Sequence, residues 1–170
     1  MPASDPSADI TVIVGKPCWK KPVSQWEKLI QPAALETLRQ SRWPHKGEIN
    51  ILLTDDAAVQ QLNKIHLGRD KPTNVLSFPS LAAEVIAGLY ITEKTQTPII
   101  LGDVALAFEI IHQESLAQKK TFEHHLLHLT VHGILHLLGF DHVQDEDALV
   151  MESLEIKILS SLMIPNPYQE

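Results

Sequence analysis

The stretch HLTVHGILHLLGFDH, residues 128–142, restricts the local fold more than any other part of the chain. His132 and His136 are four residues apart, so on a helix their imidazoles leave the same face one turn apart. Gly139 can adopt the left-handed conformation that ends a helix, which lets the chain turn back and deliver His142 to the same point. The spacing predicts a helix, a tight turn and a metal site built from three imidazoles.

Three neutral imidazoles leave the fourth position of a tetrahedral ion open to water, which is typical of catalytic rather than structural zinc sites. We therefore predict one Zn²⁺ per chain, because nitrogen-only ligand sets suit zinc among the transition metals. The predicted ligands are His132, His136 and His142, and His132 is also assigned a part in catalysis.

Further histidines precede this motif on the same predicted helix. Each step of four residues drifts by about 40° around a helix, so His124 and His125 are predicted to be solvated. Two positions for His128 stay open: behind the metal ligands, or elsewhere in the core as a hydrogen-bonding residue. Asp141 either orients an imidazole, as carboxylates commonly do beside metals, or is an exposed turn residue.

The whole chain has the size and composition of one domain. It has 170 residues, of which 44% are hydrophobic and 21% charged, so we predict a single domain over residues 1–170. About eight N-terminal and about six C-terminal residues are expected to be flexible. The single cysteine, Cys18, excludes an internal disulfide and a cysteine-built zinc site. No secretory signal or membrane-length apolar run is found, which predicts a cytoplasmic protein without membrane contact.

The net charge of −7 argues mildly against a nucleic-acid partner, because such proteins usually carry a basic surface. Local charge can differ from the total, however. The stretch KIHLGRDK gathers Lys64, Arg69 and Lys71 within eight residues.

Strands and helices mix along the chain without strict alternation, which favours an α+β fold. Apolar runs and alternation predict four strands: residues 9–15, 48–53, 73–79 and 99–108. Helical periodicity predicts five helices: residues 24–40, 55–64, 109–120, 122–138 and 145–162. We expect one central mixed β-sheet of about four strands covered by helices, with the metal-binding histidine helix at the cleft.

Several details of these elements are predicted as well. Ser24 and Glu27 form a capping-box pattern at the start of the first helix, and Pro32 should kink or split that helix. Thr54 or Asp55 should cap the second helix. Flanking prolines predict that residues 73–79 form an edge strand, and residues 80–98 are expected to form a variable loop. The last helix should place one stripe in the core: Leu149, Leu154, Ile158 and Leu162.

The segment HGILHLLGFDH has the histidine spacing of the metzincin proteases, whose motif is H-E-x-x-H-x-x-G-x-x-H. Their glutamate is the general base that activates water at the metal. The corresponding residue here is Gly133, which has no side chain to accept a proton. A metzincin-like protease is therefore the weaker alternative.

Three blocks, in the order GRDKPTNVLSFP, LGDVALAFE and HGILHLLGFDH, resemble the YbeY family of bacterial endoribonucleases. The resemblance extends from about Glu48 to Pro167, which is most of the chain. It implies an α+β fold, three histidines on one metal (usually zinc), and hydrolysis of single-stranded RNA. It also implies a role in 16S rRNA 3′-end maturation and ribosome quality control, with precursor rRNA, the small ribosomal subunit and its assembly proteins as partners.

One position departs from the family pattern. Members carry an arginine just before the glycine of the G-x-D-x-P-T-N block, whereas this chain has Leu67 there and Arg69 two residues later. Arg69 either takes over the phosphate-facing role or is a solvated loop cation, and in the second case nuclease activity is weakened. We assign Arg69 to catalysis, and Lys71 and Ser77 to substrate contacts. A non-catalytic, metal-stabilised ribosome assembly factor stays open as the alternative function.

Overall fold

A four-stranded mixed sheet forms the centre of the protein, whose computed structural model describes residues 7–169. The strands are β1 (Ala8–Val14), β2 (Gly47–Thr54), β3 (Val75–Pro79) and β4 (Ile99–Ala107). Their order across the sheet is β1, β2, β4, β3; the first three run parallel, and β3 pairs antiparallel with β4. The predicted α+β fold with one mixed sheet is confirmed, and the proline-flanked strand β3 lies at its edge.

Six helices are present in the described residues: α1 (Val23–Gln40), α2 (Asp56–Leu67), α3 (Ala83–Leu89), α4 (Phe108–Ala117), α5 (Phe122–Leu137) and α6 (Asp145–Ser161). Helix α5 contacts α1, α4 and α6 as well as β3 and β4. Its side chains Leu126, Val131 and Ile134 have no exposed surface. The histidine helix is therefore a core element, and burial of its apolar faces holds its polar face in position.

Gly133 lets α5 approach the sheet closely. A Cβ atom at this position would lie 2.7 Å from Val104 Cγ1 and 3.2 Å from Ser77 Oγ. The Ser77 hydroxyl donates a hydrogen bond to the Gly133 carbonyl oxygen at 2.8 Å. The helix and the two strands beneath it are thus fixed relative to each other by a contact that only glycine permits.

The second helix begins where its sequence predicts but ends later. Asp55 is the N-cap, and its carboxylate accepts a hydrogen bond from the Ala58 amide at 2.8 Å. The helix extends past the predicted end to Leu67 and stops at Gly68, which adopts a left-handed φ of 67°.

The first helix differs from its prediction. It begins at Val23 after Pro22, and no side chain caps it, so the predicted capping box of Ser24 and Glu27 is wrong. It also runs unsplit through Pro32. Packing explains this, because Trp26, Ile30, Ala33 and Ala34 on both sides of the proline are buried against the core.

Two further predictions fail because tertiary packing outweighs local pattern. Residues 80–98 are not only a loop, since α3 forms there and buries Ile86. The core stripe predicted for α6 is confirmed at Ile158, which is buried, and Leu154 and Leu162 pack half-buried against the core, but the prediction is wrong at Leu149, which is 64% exposed. The buried residues of this helix are Met151, Glu155, Ile158 and Leu159. The predicted flexibility of residues 1–6 concerns a part of the chain outside the described residues.

Candidate metal centre

Helix α5 and the turn after it bring the three predicted ligands together. His132 and His136 lie one turn apart, with their Nε2 atoms separated by 3.1 Å. Gly139 has a φ of 90°, and the chain turns back there. The His142 ring centroid then lies 5.3 Å from that of His132 and 5.0 Å from that of His136. One ligand atom from each histidine falls within 4.8 Å of the others.

The hydrogen bonds of the two helical ligands define which ring nitrogen faces the site. His136 Nδ1 lies 2.9 Å from the Phe140 carbonyl oxygen, which can only accept, so Nδ1 carries the proton. His132 Nδ1 donates in the same way to the Glu155 carboxylate at 2.5 Å. In the neutral tautomers both Nε2 atoms therefore present lone pairs to the same point.

This donor set fits a zinc ion. Two lone pairs 3.1 Å apart repel each other unless a cation lies between them, and tetrahedral zinc with bonds of about 2.0–2.1 Å tolerates that nitrogen separation. Burial, followed by the charges of His132 and His142, lowers the pKa of His136 to about 4. The metal-binding neutral form of that ligand is thus favoured at neutral pH.

Glu155 is the main functional residue that the sequence analysis missed. Its side chain, on α6, is fully buried and also contacts His128 Nε2 at 3.4 Å and the Tyr168 hydroxyl. Burial alone raises the pKa of Glu155, but hydrogen bonds from His128, His132 and Tyr168 outweigh it and lower the pKa to about 2. A buried, ionised carboxylate behind a metal ligand orients the imidazole and makes it a better donor. The sequence signal that could have identified Glu155 is its position three residues before Ile158, on the apolar face of the same helix.

The other histidines are placed as follows. His128 lies beside Glu155, one turn before His132, which is the first of its two predicted positions. His125 is 3% exposed and contacts Glu114 at 2.6 Å, so its predicted solvation is wrong. His124 is half-buried, which also differs from the prediction.

Asp141 behaves as a turn residue. Its carboxylate accepts a hydrogen bond from the Val143 amide at 3.2 Å, and its side chain is exposed. Within residues 7–169 its carboxylate has no hydrogen bond or ion pair with an imidazole. The carboxylate that orients a ligand is supplied by α6 instead, from a part of the chain distant in sequence.

The basic loop between α2 and β3 is exposed. Buried Asn63 fixes this loop: its carbonyl accepts from the Arg69 amide at 3.2 Å, and its side chain donates to the Lys71 carbonyl at 2.8 Å. Within residues 7–169 the Arg69 guanidinium has no hydrogen bond or ion pair. Leu67 is the last residue of α2 and Gly68 is left-handed, so the backbone changes direction between Leu67 and Arg69.

The protease alternative loses its geometric basis at Gly133. The position that holds the metzincin glutamate faces Val104 and Ser77 in the sheet, as the close Cβ distances show. A longer side chain there would clash with β4 instead of reaching the three histidines. Replacing the glycine would therefore not supply a base at this site.

Three converging histidines backed by a buried carboxylate, on an α+β scaffold, form a cluster that could hold one metal ion. A family model described as "Endoribonuclease YbeY" matches residues 17–163. The chain belongs to the YbeY family.

Similar proteins agree with that assignment. Endoribonuclease YbeY of Bradyrhizobium diazoefficiens is 43% identical to this chain, covering 98% of it and 89% of the relative. The protein of that name from Zymomonas mobilis is 40% identical, covering 86% of each chain. The solution structure of TM1509 from Thermotoga maritima has a TM-score of 0.55 at 22% identity and covers 95% of this chain and 96% of its own, which shows a shared fold.

Proposed function

We propose that this protein is a zinc-dependent endoribonuclease that hydrolyses single-stranded RNA. The observation that carries the proposal is the convergence of His132, His136 and His142, two of them with their Nε2 lone pairs oriented by hydrogen bonds on Nδ1. The family supports the reaction class, since curated relatives are named endoribonucleases. None of the helices in residues 7–169 is long and apolar enough to cross a membrane.

The three histidines would hold the metal, which when bound polarises a phosphoryl oxygen and activates water for attack. Glu155 keeps His132 in the required tautomer and orientation. In this proposal Arg69 and Lys71 neutralise charge that develops on the scissile phosphate, for which a guanidinium is well suited. Ser77 already donates its proton to Gly133, so its contact with substrate is as an acceptor.

A cleavage assay tests the reaction. Zinc-loaded protein is incubated with a labelled single-stranded RNA and with the same sequence as a duplex. We expect cleavage of the single strand only, loss of activity with a chelator and recovery with added zinc. His136→Ala should lose both zinc and cleavage, whereas His66→Ala, at an exposed histidine on α2, should keep both. Cleavage that survives in the His136→Ala protein would contradict the proposal.

The proposed role of Arg69 is tested in the same assay. Arg69→Ala should lower kcat/KM at least roughly tenfold, about 1.4 kcal/mol of transition-state stabilisation, with zinc content unchanged. Leu67→Arg should restore activity to that variant, because it returns a cation to the preceding helix end. Arg42→Ala, at an exposed arginine after α1, is the control. Parent-like activity of Arg69→Ala would show that this arginine is only solvated.

We further propose that the cytoplasmic substrate is precursor 16S rRNA on the small ribosomal subunit, where the protein acts with assembly factors in 3′-end maturation and quality control. The family assignment supports this role. Cells producing only the His136→Ala protein should accumulate 16S rRNA with an unprocessed 3′ end. The non-catalytic alternative predicts instead that zinc-loaded protein binds the subunit without cleaving any single-stranded RNA.

A further inference from the structure

After α6 the chain continues as the C-terminal segment, residues 162–169, which folds back towards the histidines of α5. Ile164 anchors its beginning, because that side chain is only 7% exposed and belongs to the core. Near its end the Pro167 carbonyl accepts a hydrogen bond from Lys120 Nζ at 2.5 Å. The segment is therefore held at two points, and Tyr168 follows directly after the second.

The side chain of Tyr168 contacts two residues that lie behind the metal ligands. Its ring packs edge-on against the His128 ring, with 5.4 Å between the centroids. Its hydroxyl donates a hydrogen bond to Glu155 Oε2, since an ionised carboxylate can only accept. The other oxygen of that carboxylate, Oε1, accepts from His132 Nδ1 at 2.5 Å. Two consecutive hydrogen bonds therefore join Tyr168 to a metal ligand.

Glu155 depends on this hydroxyl because it has few other donors. Its side chain has no exposed surface, and a buried charge is costly unless it is hydrogen-bonded. Within residues 7–169 the only other donor to Oε2 is His128 Nε2, at 3.4 Å, which is longer than the usual range of about 2.7–3.2 Å. The same nitrogen lies 3.3 Å from the Tyr168 hydroxyl, so its proton is shared between the two oxygens. The hydroxyl is thus the main donor to Oε2.

The hydrogen bond to Oε2 also determines where Oε1 points. A carboxylate has two equivalent oxygens, and it keeps one orientation only when both oxygens have donors. With Oε2 bonded to Tyr168, Oε1 is directed at His132 Nδ1, and the Nε2 lone pair of that imidazole faces the metal site. Without the hydroxyl, Oε2 would be left nearly unsatisfied in the core, and the carboxylate would turn towards its remaining donors. The orientation of His132 would then no longer be fixed.

We propose that Tyr168 is a positioning residue of the metal centre, whose hydroxyl holds Glu155 in the orientation that prepares His132 to bind zinc. The inference rests on the zinc site of the proposed function and deepens it, because it makes the C-terminal segment part of that site. It does not depend on the reaction that the metal serves. Partners that orient metal ligands contribute to metal affinity, and Tyr168 acts one hydrogen bond further out, through Glu155.

Tyr168→Phe tests the proposal, because it removes the hydroxyl and keeps the ring that packs against His128. The matched control is Tyr90→Phe, at the chain's other tyrosine, whose ring packs edge-on against Trp43 with 5.3 Å between the centroids. The Kd for zinc is measured at pH 7 by competition with a chromophoric chelator. The melting temperature of each metal-free variant is recorded, so that a change in affinity is not confused with unfolding.

We expect Tyr168→Phe to raise the Kd for zinc at least roughly threefold, a smaller effect than that of a direct partner of a ligand, and Tyr90→Phe to match the parent. A double-mutant cycle then shows whether the hydroxyl acts through Glu155. In Glu155→Gln the amide carbonyl has to accept from His132, so the NH₂ group faces Tyr168 and the hydroxyl can no longer donate there. Adding Tyr168→Phe to Glu155→Gln should therefore change the Kd less than about twofold.

Parent-like zinc affinity in Tyr168→Phe, or equal losses in the two tyrosine variants, would overturn the proposal. So would an equal loss from Tyr168→Phe with and without Glu155→Gln, because a purely structural effect is independent of the carboxylate. If Glu155→Gln does not fold, the comparison of the two tyrosine variants decides alone.

The outcome also separates this role from the proposed function. A parent that binds zinc with Tyr168-dependent affinity but never cleaves RNA would retain the positioning role and reject the reaction. Zinc-dependent cleavage by a parent whose zinc affinity ignores Tyr168 would reject the positioning role and retain the reaction. A parent that binds no zinc would reject both.

Discussion

Replacing Glu155 by glutamine should weaken zinc binding while leaving the three ligands in place. The carboxylate is fully buried and accepts from His132 Nδ1 at 2.5 Å, so it sets both the tautomer and the donor strength of that ligand. Partners of this kind typically contribute 10–100-fold to metal affinity, which corresponds to about 1.4–2.7 kcal/mol. Glutamine has the same shape but no charge, and its amide NH₂ is a donor that can accept a hydrogen bond from neither His128 nor Tyr168.

The assay is competition for zinc between the protein and a chromophoric chelator, at pH 7 and with equal protein concentrations. Glu155→Gln should show a Kd raised 10–100-fold, and Glu146→Gln, at an exposed carboxylate in the first turn of α6, should match the parent. The melting temperature of the metal-free protein is recorded as well, so that loss of affinity is not confused with unfolding. A folded Glu155→Gln protein whose zinc affinity is within twofold of the parent would refute the reasoning.

Three further predictions concern stability. Gly133→Ala should lower the free energy of unfolding, measured in urea, by about 1 kcal/mol. Overpacking against Val104 costs roughly 1–3 kcal/mol, which outweighs the gain of about 1 kcal/mol in helix propensity. A stabilised variant would show that α5 can shift away from the sheet. Hydrogen bonding to Arg39 lowers the pKa of Glu36 to about 2 from 4.5, so this carboxylate's contribution is present above pH 4.5 and is lost as the pH falls towards 2. Glu36→Gln should therefore be less stable than the parent at pH 7, by up to about 1 kcal/mol, and the difference should shrink by pH 3 in urea titrations; a constant difference would contradict this. Removing the metal with a chelator should lower the melting temperature but leave a cooperative unfolding transition, since the sheet and helices bury their own core. Loss of that transition in calorimetry would show that folding depends on the metal.

Local chemistry explains why so much of the fold and site could be predicted from the sequence. The four strands follow from apolar runs and alternation, and the cap at Asp55 follows from a side chain that bonds to the backbone beside it. The three ligands are predictable for the same reason, because His132 and His136 are related by helix geometry and His142 by the turn that follows.

The failures share a different cause. The burial of Leu149, the solvation of His125 and the capping box at Ser24 were inferred from short windows, which do not contain the elements that pack together. His125, for example, is buried beside Glu114 of α4. Helix α3 was missed because a seven-residue helix with one buried side chain, Ile86, leaves almost no period to detect.

The sequence by itself determined which residues can bind a metal, because the ligand spacing lies within a single helix and turn. Only the tertiary structure decided what supports and surrounds them. Glu155 reaches His132 from α6, Tyr168 reaches Glu155 from the C-terminal segment, and Gly133 faces β4. These contacts join segments that are 23, 13 and 29 residues apart along the chain, and such separations are set by how helices pack on a sheet rather than by any local preference.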